Sequence, residues 1–268
     1  MNKYPTYKAP KTLTIAHDHT IEGCIGTFRN AEYEGTDAYG IMINTLDLAE
    51  RTEEKLRALF NYAGDKPVLA MNYRDQRPDL PPIADEEIVE SLIASVRAGA
   101  DMVDLMGDLY DPCPVELTSD AAALARQKGL VERIHRMGAK VLASSHTWKF
   151  MTTEETIEHF RALQSIGADM VKIAMCANSE EEADSVFHTT ISLRSALNIP
   201  YIYICMGQYG KRHRMMAPML GAEYALCVQQ YTAGSHREQV LLRSARAIYS
   251  NVDWTMARDT ATSTVAPF

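Results

Sequence analysis

The sequence has few of the features that mark disulfide-bonded, zinc-binding or membrane proteins. Its five cysteines are odd in number and never occur as Cys-x-x-Cys, which indicates neither a disulfide framework nor a zinc knuckle. No apolar run approaches the roughly 18 residues of a membrane span, and the first twenty residues lack the hydrophobic segment of a signal peptide. We therefore expect a cytoplasmic protein with reduced thiols and no membrane partner.

An excess of positive charge and a phosphate-binding loop are also absent. The chain has 27 Lys and Arg against 35 Asp and Glu, a net charge of −8, which argues against a nucleic-acid partner. No strand-like segment is followed by Gly-x-Gly-x-x-Gly or by Gly-x-x-x-x-Gly-Lys-[Ser/Thr], so nucleotide binding has no support. We expect a small-molecule substrate whose negative charge is held locally.

What is present is a regular alternation of strand-like and helix-like segments. The strand-like segments are 12–16, 20–25, 38–45, 67–73, 101–105, 139–144, 168–175, 200–205 and 223–228. The helix-like segments are 48–62, 85–98, 118–136, 153–167, 179–197 and 238–249. Either 12–16 or 20–25 belongs to the sheet, which gives eight strands. This pattern predicts an α/β fold, a (β/α)8 TIM barrel, with an open doubly wound sheet as the main alternative.

The predicted barrel is a single domain that covers residues 1–268, with an N-terminal arm at about 1–11 and a C-terminal tail at about 255–268. In such a barrel, catalytic groups lie at the C-terminal ends of the strands and on the loops that follow them. The segment His17-Asp18-His19 has residues typical of a metal site, but a polar turn explains it equally well. We expect no metal site.

One lysine interrupts an apolar strand. Lys172 lies between Val171 and Ile173 in a run that is typical of a strand covered on both faces. Burial disfavours an ammonium and can leave a free amine near neutral pH, and such an amine can attack a ketone to form an imine. The alternative is a lysine that reaches solvent or pairs with a carboxylate.

Two further candidates lie on neighbouring strands. His146 closes the fifth strand, one βα unit before Lys172, where it could move a proton near pH 7. Arg214 ends a basic segment after the seventh strand, and its guanidinium is suited to binding a carboxylate. The alternatives are a structural histidine and a solvated basic loop.

Three separated motifs resemble, in order and spacing, type I 3-dehydroquinate dehydratase. They are Ser144-Ser145-His146-Thr147-Trp148, Gly167-Ala168-Asp169-Met170-Val171-Lys172-Ile173-Ala174, and Met206-Gly207-x-x-Gly210-x-x-His213-Arg214 with Leu220-Gly221-Ala222. The resemblance covers roughly residue 67 to the last helix. It implies a lyase of the shikimate pathway, commonly a homodimer without a cofactor, that dehydrates 3-dehydroquinate to 3-dehydroshikimate through an imine on Lys172. His146 would help to form and hydrolyse the imine, remove the adjacent proton and return it to the departing hydroxyl as water leaves.

The resemblance also implies substrate-binding residues. Arg214 would bind the substrate carboxylate, and Arg74 matches an arginine of the family's pocket, although a structural ion pair is an equally good explanation for Arg74. His213 stands where the family has a serine before that arginine. Ser235 falls in the segment that corresponds to the family's Pro-Gly-Gln lid.

Several recognition positions depart from the family pattern. A Glu-x-Arg pair on the second strand is replaced by Ile43 and Thr45. The acidic residue of the family's Glu-Gly-Gly loop is absent, with Pro78 at its position, and a strand glutamate falls at Met106. The carboxylate that would orient His146 is therefore lost or supplied from elsewhere. Because lost hydroxyl-binding groups change specificity strongly, a Schiff-base dehydratase or aldolase for a different oxo-acid is a second hypothesis. A non-catalytic binding barrel is a third.

Overall fold

The computed structural model describes residues 9–75, 79–81, 83–232, 235–252 and 254. The strands are β1 (Lys11–Ala16), β2 (Ala38–Met42), β3 (Val68–Met71), β4 (Met102–Met106), β5 (Lys140–Thr147), β6 (Met170–Cys176), β7 (Tyr201–Met206), β8 (Tyr224–Val228) and β9 (Val240–Leu241). The helices are α1 (Ile21–Tyr33), α2 (Glu53–Tyr62), α3 (Asp85–Ala98), α4 (Ala121–Arg136), α5 (Thr153–Gln164), α6 (Glu180–Ala196), α7 (Gly210–Met216) and α8 (Leu242–Tyr249). The predicted tail and most of the predicted arm lie outside the described residues.

The strands form one parallel sheet that curls on itself. Its order is β7-β6-β5-β4-β3-β2-β1-β8-β9, so that each of the first six strands pairs with the next strand in the chain and β1 pairs with β8. The N–H group just before β8, that of Glu223, donates a hydrogen bond to the carbonyl of Tyr201 at the start of β7 (2.8 Å). With a helix after nearly every strand, this is the predicted (β/α)8 barrel. No helix in the described ranges is long and apolar enough to cross a membrane.

The strand predicted at 20–25 is wrong, because this segment begins α1. The side chain of Thr20 caps the helix by accepting a hydrogen bond from the N–H of Gly23 at 3.1 Å, and such a cap contributes about 1 kcal/mol. Ile21, Cys24 and Phe28 are buried on one side of the helix. Helical spacing and the cap together outweigh the strand propensity of threonine and isoleucine, and the sheet takes 11–16 instead.

Two further boundaries differ from the prediction. The second strand ends at Met42, and Ile43–Thr45 is a turn of 3-10 helix. The basic segment after the seventh strand is not a loop, because residues 210–216 form α7. The helix predicted at 85–98 has those bounds in the structure, and it ends at Gly99, whose φ of 111° is the left-handed conformation that glycine adopts readily.

The pleat of β6 directs Lys172 into the barrel. Met170 and Ala174 belong to the apolar cluster that fills the interior, whereas Val171, Ile173 and Met175 pack in the larger cluster between the sheet and the helices. Because side chains alternate along a strand, residue 172 faces the interior with residues 170 and 174. The whole strand is buried.

A tight loop after β4 approaches the end of β5. The N–H of Gly107 donates to the carbonyl of Ser144 (2.7 Å), and its own carbonyl accepts from the N–H of Thr118 (3.1 Å) and from the amide of Gln127 (3.0 Å). A side chain at Gly107 would have its Cβ 2.6 Å from the carbonyl oxygen of Glu116 and 2.5 Å from Leu163. Only glycine therefore allows the loop to pass so close to the strand.

We predict that Gly107→Ala lowers the free energy of unfolding by about 1–3 kcal/mol, because a methyl group at this site must displace backbone. The measurement is urea denaturation followed by circular dichroism. Gly129→Ala is the matched control, since nothing lies within 4 Å of a Cβ built there in the middle of α4. Equal stability of the two variants would contradict the close approach of the loop.

Candidate active site

Lys172 is a buried cation inside the barrel, held by two partners. Its side chain is 5% exposed, and Nζ donates to Oδ2 of Asp104 at 3.0 Å and to the hydroxyl of Tyr73 at 2.6 Å. Asp104 lies on β4 and is fully buried, and Tyr73 follows β3. The tyrosine hydroxyl in turn donates to the same Oδ2 at 2.5 Å. Two strand residues and one residue from the segment after β3 thus form a closed triangle of hydrogen bonds around the amine.

His146 is oriented by a glutamate from the loop after β4. Its Nδ1 is 2.8 Å from Oε2 of Glu116, and the same oxygen accepts the backbone N–H of His146 at 2.9 Å. Since an ionised carboxylate only accepts hydrogen bonds, Nδ1 carries the proton and Nε2 keeps its lone pair. Glu116 has a φ of 45°, a left-handed conformation that costs a residue with a side chain roughly 1–2 kcal/mol.

Tyr73 lies between the lysine and the histidine. Its ring meets the imidazole of His146 edge to face, with the ring centroids 5.0 Å apart, while its hydroxyl contacts Lys172. Burial of the hydroxyl, followed by the nearby charge of Asp104, raises the pKa of Tyr73 well above its ordinary value. On the neighbouring strands, Lys172 pairs in register with Ser144, and His146 with Ala174, so the histidine lies one step nearer the barrel mouth.

Arg214 lies on α7, beside the end of β7. Its Nε donates to the carbonyl of Cys205 at 3.0 Å, and Nη2 is 3.8 Å from Oε1 of Glu238. The side chain is 10% exposed. Burial lowers the pKa of the guanidinium, and the glutamate opposes that shift, but an arginine stays charged in either case. A buried arginine next to the reactive strand can bind a carboxylate.

Arg74 is committed to protein partners. It forms ion pairs with the carboxylates of Asp85 (2.7 Å from Nε) and Asp108 (2.6 Å from Nη1). Nη2 donates to Asp85 and to the carbonyl of Asp108, and Nη1 also points at the sulfur of Met106. These contacts use all five donors of a guanidinium, which favours the structural ion pair over direct substrate binding.

His213 and Ser235 also face protein rather than an open site. The N–H of Cys205 donates to Nδ1 of His213 (3.2 Å), so Nε2 carries the proton and donates to the hydroxyl of Thr190 (2.8 Å). The histidine is 1% exposed, a position that does not fit the predicted contact with substrate. The hydroxyl of Ser235 bonds the backbone of Thr232 within its own loop.

Three residues of the site escaped the sequence analysis: Tyr73, Asp104 and Glu116. Asp104 interrupts the apolar run of β4 as Lys172 interrupts β6, and this parallel was the available signal. Glu116 follows Pro112 and Pro114, which mark a loop on the catalytic face of the barrel, where any carboxylate is a candidate. Nothing in the sequence distinguishes Tyr73 from the other tyrosines.

A cavity of about 380 Å³ adjoins this network. Tyr73, Arg74, Met106, Cys113 and Glu116 are among its lining residues. Its charged residues are mostly acidic, because two aspartates accompany the glutamate and the arginine is already paired. In the part of the chain that the structure describes, no group of three His, Cys, Asp or Glu side chains is arranged to hold a metal ion.

A family model and several curated relatives indicate the same family. A family model described as type I 3-dehydroquinase matches residues 19–253. The 3-dehydroquinate dehydratase of Alkaliphilus oremlandii is 31% identical over 108 residues, which are 40% of this chain and 42% of that protein. The 3-dehydroquinate dehydratase of Geobacillus thermodenitrificans is 24% identical over 184 residues, or 68% and 65% of the two chains. The chain spans about half the length of several curated relatives that it matches.

Solved structures extend the similarity over nearly the whole fold. The 3-dehydroquinate dehydratase of Geobacillus kaustophilus has a TM-score of 0.74 at 19% identity and covers 93% of this chain and 97% of its own. The type I 3-dehydroquinate dehydratase of Clostridium difficile, solved with covalent modified comenic acid, has a TM-score of 0.75 at 17% identity and covers 93% and 98%. At such identities the likeness establishes the fold.

Buried His213 makes stability depend on pH. Burial, followed by the charge of Arg214, lowers its pKa to about 3, whereas the unfolded chain protonates this residue near pH 6.5. Above pH 6.5 the neutral His213 costs the folded protein nothing. As the pH falls from 6.5 towards 3, only the unfolded chain takes up this proton, so the free energy of unfolding falls by up to about 1.4 kcal/mol per pH unit.

We predict that His213→Gln flattens the dependence of the unfolding free energy on pH between 6 and 4.5, as measured by urea denaturation at several pH values. His17 and His159, whose pKa values burial lowers to about 4, retain part of the slope. Exposed His188→Gln is the control and should leave the slope unchanged. An unaltered slope in the His213 variant would show that this histidine is protonated in the folded protein.

Proposed function

The chain belongs to the type I 3-dehydroquinase family, and from that premise we propose that it is a Schiff-base hydro-lyase. Its reaction is the dehydration of a cyclic 3-oxo carboxylate, 3-dehydroquinate to 3-dehydroshikimate, through an imine on Lys172. The observation that carries this proposal is a lysine buried inside the barrel with a histidine on the adjacent strand, one step nearer the mouth.

Each step of the reaction has a group to perform it. The amine of Lys172 attacks the ketone, and loss of water gives an iminium that withdraws electrons from the neighbouring carbon. Nε2 of His146 removes the proton from that carbon and then delivers it to the leaving hydroxyl. Glu116 holds the imidazole in the required tautomer and stabilises its protonated form, at a distance of 2.8 Å.

Arg214 binds the carboxylate of the substrate in this proposal. It lies beside the end of β7, next to the strand of Lys172, and Glu238 is 3.8 Å from it, too far for a hydrogen bond. A charge-assisted pair with a substrate carboxylate is a strong anchor in such a buried site. Arg74 has no comparable freedom, because Asp85 and Asp108 occupy it.

A different oxo-acid is the second candidate substrate, and the surroundings of Arg74 favour it. The arginine that should help to hold dehydroquinate is paired with two aspartates, and its neighbour in the cavity is the sulfur of Met106. Ile43, at a family glutamate position, packs into the core between sheet and helices. A pocket with fewer hydroxyl-binding groups suits a less hydroxylated oxo-acid.

The remaining expectations are predictions that accompany this proposal. They are a single barrel domain over residues 1–268, a cytoplasmic location and a homodimer. Direct contact of His213 and Ser235 with substrate would require both side chains to leave the protein partners described above.

We predict that incubation with 3-dehydroquinate and sodium borohydride attaches a reduced adduct to Lys172, because borohydride reduces the iminium and makes the bond permanent. Mass spectrometry of tryptic peptides locates the adduct. Lys172→Arg, which keeps a cation beside Asp104, should abolish it, and Lys140→Ala, at the exposed start of β5, should leave it intact.

The same experiment with other oxo-acids separates the candidate functions. An adduct with 3-dehydroquinate and turnover to the unsaturated product would support the dehydratase. An adduct with another oxo-acid alone would support the second candidate. If no oxo-acid were trapped, the protein would be a non-catalytic barrel and the proposed function would be wrong.

We predict that Glu116→Gln and His146→Gln each lower kcat by about 10²–10⁴-fold, because both disable proton transfer at carbon. The adduct on Lys172 should still form in both variants. The double variant should be no slower than His146→Gln alone, since the glutamate acts through the histidine. Steady-state kinetics measure this, with exposed Glu154→Gln as the control, and additive losses would show that Glu116 acts independently.

A further inference from the structure

Tyr73 has no task in the mechanism described so far, although it touches the reacting nitrogen. Its hydroxyl is 2.6 Å from Nζ of Lys172 and 2.5 Å from Oδ2 of Asp104. The aspartate is itself 3.0 Å from Nζ. The other oxygen of this carboxylate, Oδ1, is buried and has no hydrogen-bond partner among the described residues.

An ammonium cannot attack a ketone, so the lysine must first lose a proton, and in a buried site a protein group must take it. We propose that Tyr73 and Asp104 form a proton relay for Lys172. The relay takes the ammonium proton before the attack and returns it to the carbinolamine hydroxyl, which then leaves as water. This inference rests on the imine chemistry of the proposed function.

The proton balance of the relay closes without another reactant. Lys172 passes a proton to the phenol oxygen as the phenol passes its own to Asp104, which leaves a neutral amine, a neutral phenol and a carboxylic acid. The amine attacks the carbonyl carbon, and proton transfer from nitrogen to oxygen gives the neutral carbinolamine. The stored proton then returns through Tyr73 to the hydroxyl, the C–O bond breaks, and water departs. The products are an iminium and the original carboxylate.

The geometry assigns this task to the tyrosine rather than to the histidine. Nδ1 of His146 is bound to Glu116, and the imidazole touches Tyr73 edge to face at 5.0 Å between centroids. Among the residues that the structure describes, Tyr73 alone contacts both the amine and the carboxylate through one oxygen atom. Because its pKa is raised well above the ordinary value, the phenol keeps its proton at neutral pH and passes protons on without storing a charge.

Two proton systems therefore serve two atoms of the reaction, the nitrogen of Lys172 and a carbon of the substrate. Tyr73 and Asp104 serve the nitrogen during formation and hydrolysis of the imine. Glu116 and His146 serve the neighbouring carbon. If this division holds, removing the phenol hydroxyl slows the nitrogen chemistry and leaves proton transfer at carbon unchanged.

The first test is Tyr73→Phe, which keeps the ring against His146 and removes only the hydroxyl. With 3-dehydroquinate as the probe, the rate of adduct formation, quenched with borohydride at successive times, should fall by about 10²–10⁴-fold. Tyr203→Phe is the matched control, because it removes another buried hydroxyl, whose partner is the sulfur of Met175, 3.1 Å away. Its rate should equal that of the original protein.

A second measurement separates proton relay from simple displacement of the lysine. The probe is 3-oxocyclohexanecarboxylate, a ketone that lacks a leaving hydroxyl, in water enriched in deuterium and oxygen-18. Carbonyl oxygen exchange reports formation and hydrolysis of the imine, and deuterium uptake reports proton transfer at carbon. In Tyr73→Phe the imine should live longer, so the ratio of deuterium to oxygen exchange should rise. A displaced lysine would lower both without changing the ratio.

The outcomes distinguish the relay from the chemistry on which it rests. Adduct formation in the original protein with an unchanged rate in Tyr73→Phe would overturn the relay and leave the proposed function standing. A slower rate with an unchanged exchange ratio would also overturn it, in favour of a positional effect. Failure of the original protein to form an adduct with either probe and with every other oxo-acid tested would overturn the imine chemistry and the relay together.

Discussion

The contact between Lys172 and Asp104 inside the barrel is the constraint on which the rest of the site depends. Desolvation of two charges costs several kcal/mol for each ion, and an apolar pair of similar volume is often equally stable or more so. Removal of one partner alone leaves an unpaired buried charge, at a cost of about 3–5 kcal/mol. A gain in folding stability is therefore a poor explanation for this buried ion pair. Because the pair lies in the barrel interior, the strands around it position the groups of the proposed reaction.

The pair also dictates how the neighbouring strands contribute. Asp104 on β4 and Lys172 on β6 are separated by β5, where Ser144 lies beside the lysine in register. Tyr73 reaches the pair from just after β3, and its ring also contacts the imidazole of His146. A buried cation with its own carboxylate leaves the histidine free to use a different one, and Glu116 supplies it from a loop.

The hydrophobic pattern of the sequence predicted most of the fold, because apolar residues recur with different periods in amphipathic helices and in strands. The prediction was wrong at 20–25, where the capped start of a helix contains threonine and isoleucine and so resembles a short strand. It also missed the two-turn helix at 210–216, because its basic residues are typical of a solvated loop. The residues of the site were harder to predict from the sequence than the fold. Lys172 and His146 stand out within their own strands, whereas Tyr73 and Glu116 become significant only when distant segments meet, and local sequence does not encode that meeting.

The position of a residue in the barrel determines how easily it can depart from the family pattern. The groups proposed to handle the imine, Lys172 and Asp104, lie on strands inside the barrel, where any change must preserve charge balance and packing, so they are difficult to alter. The groups expected to recognise substrate lie at strand ends and on loops, where a change costs little stability. Glu116, which contacts His146 from a left-handed conformation, and Arg74, which is paired with two aspartates, both lie in this outer layer. A barrel built in this way can keep one reaction and exchange the molecule on which it acts.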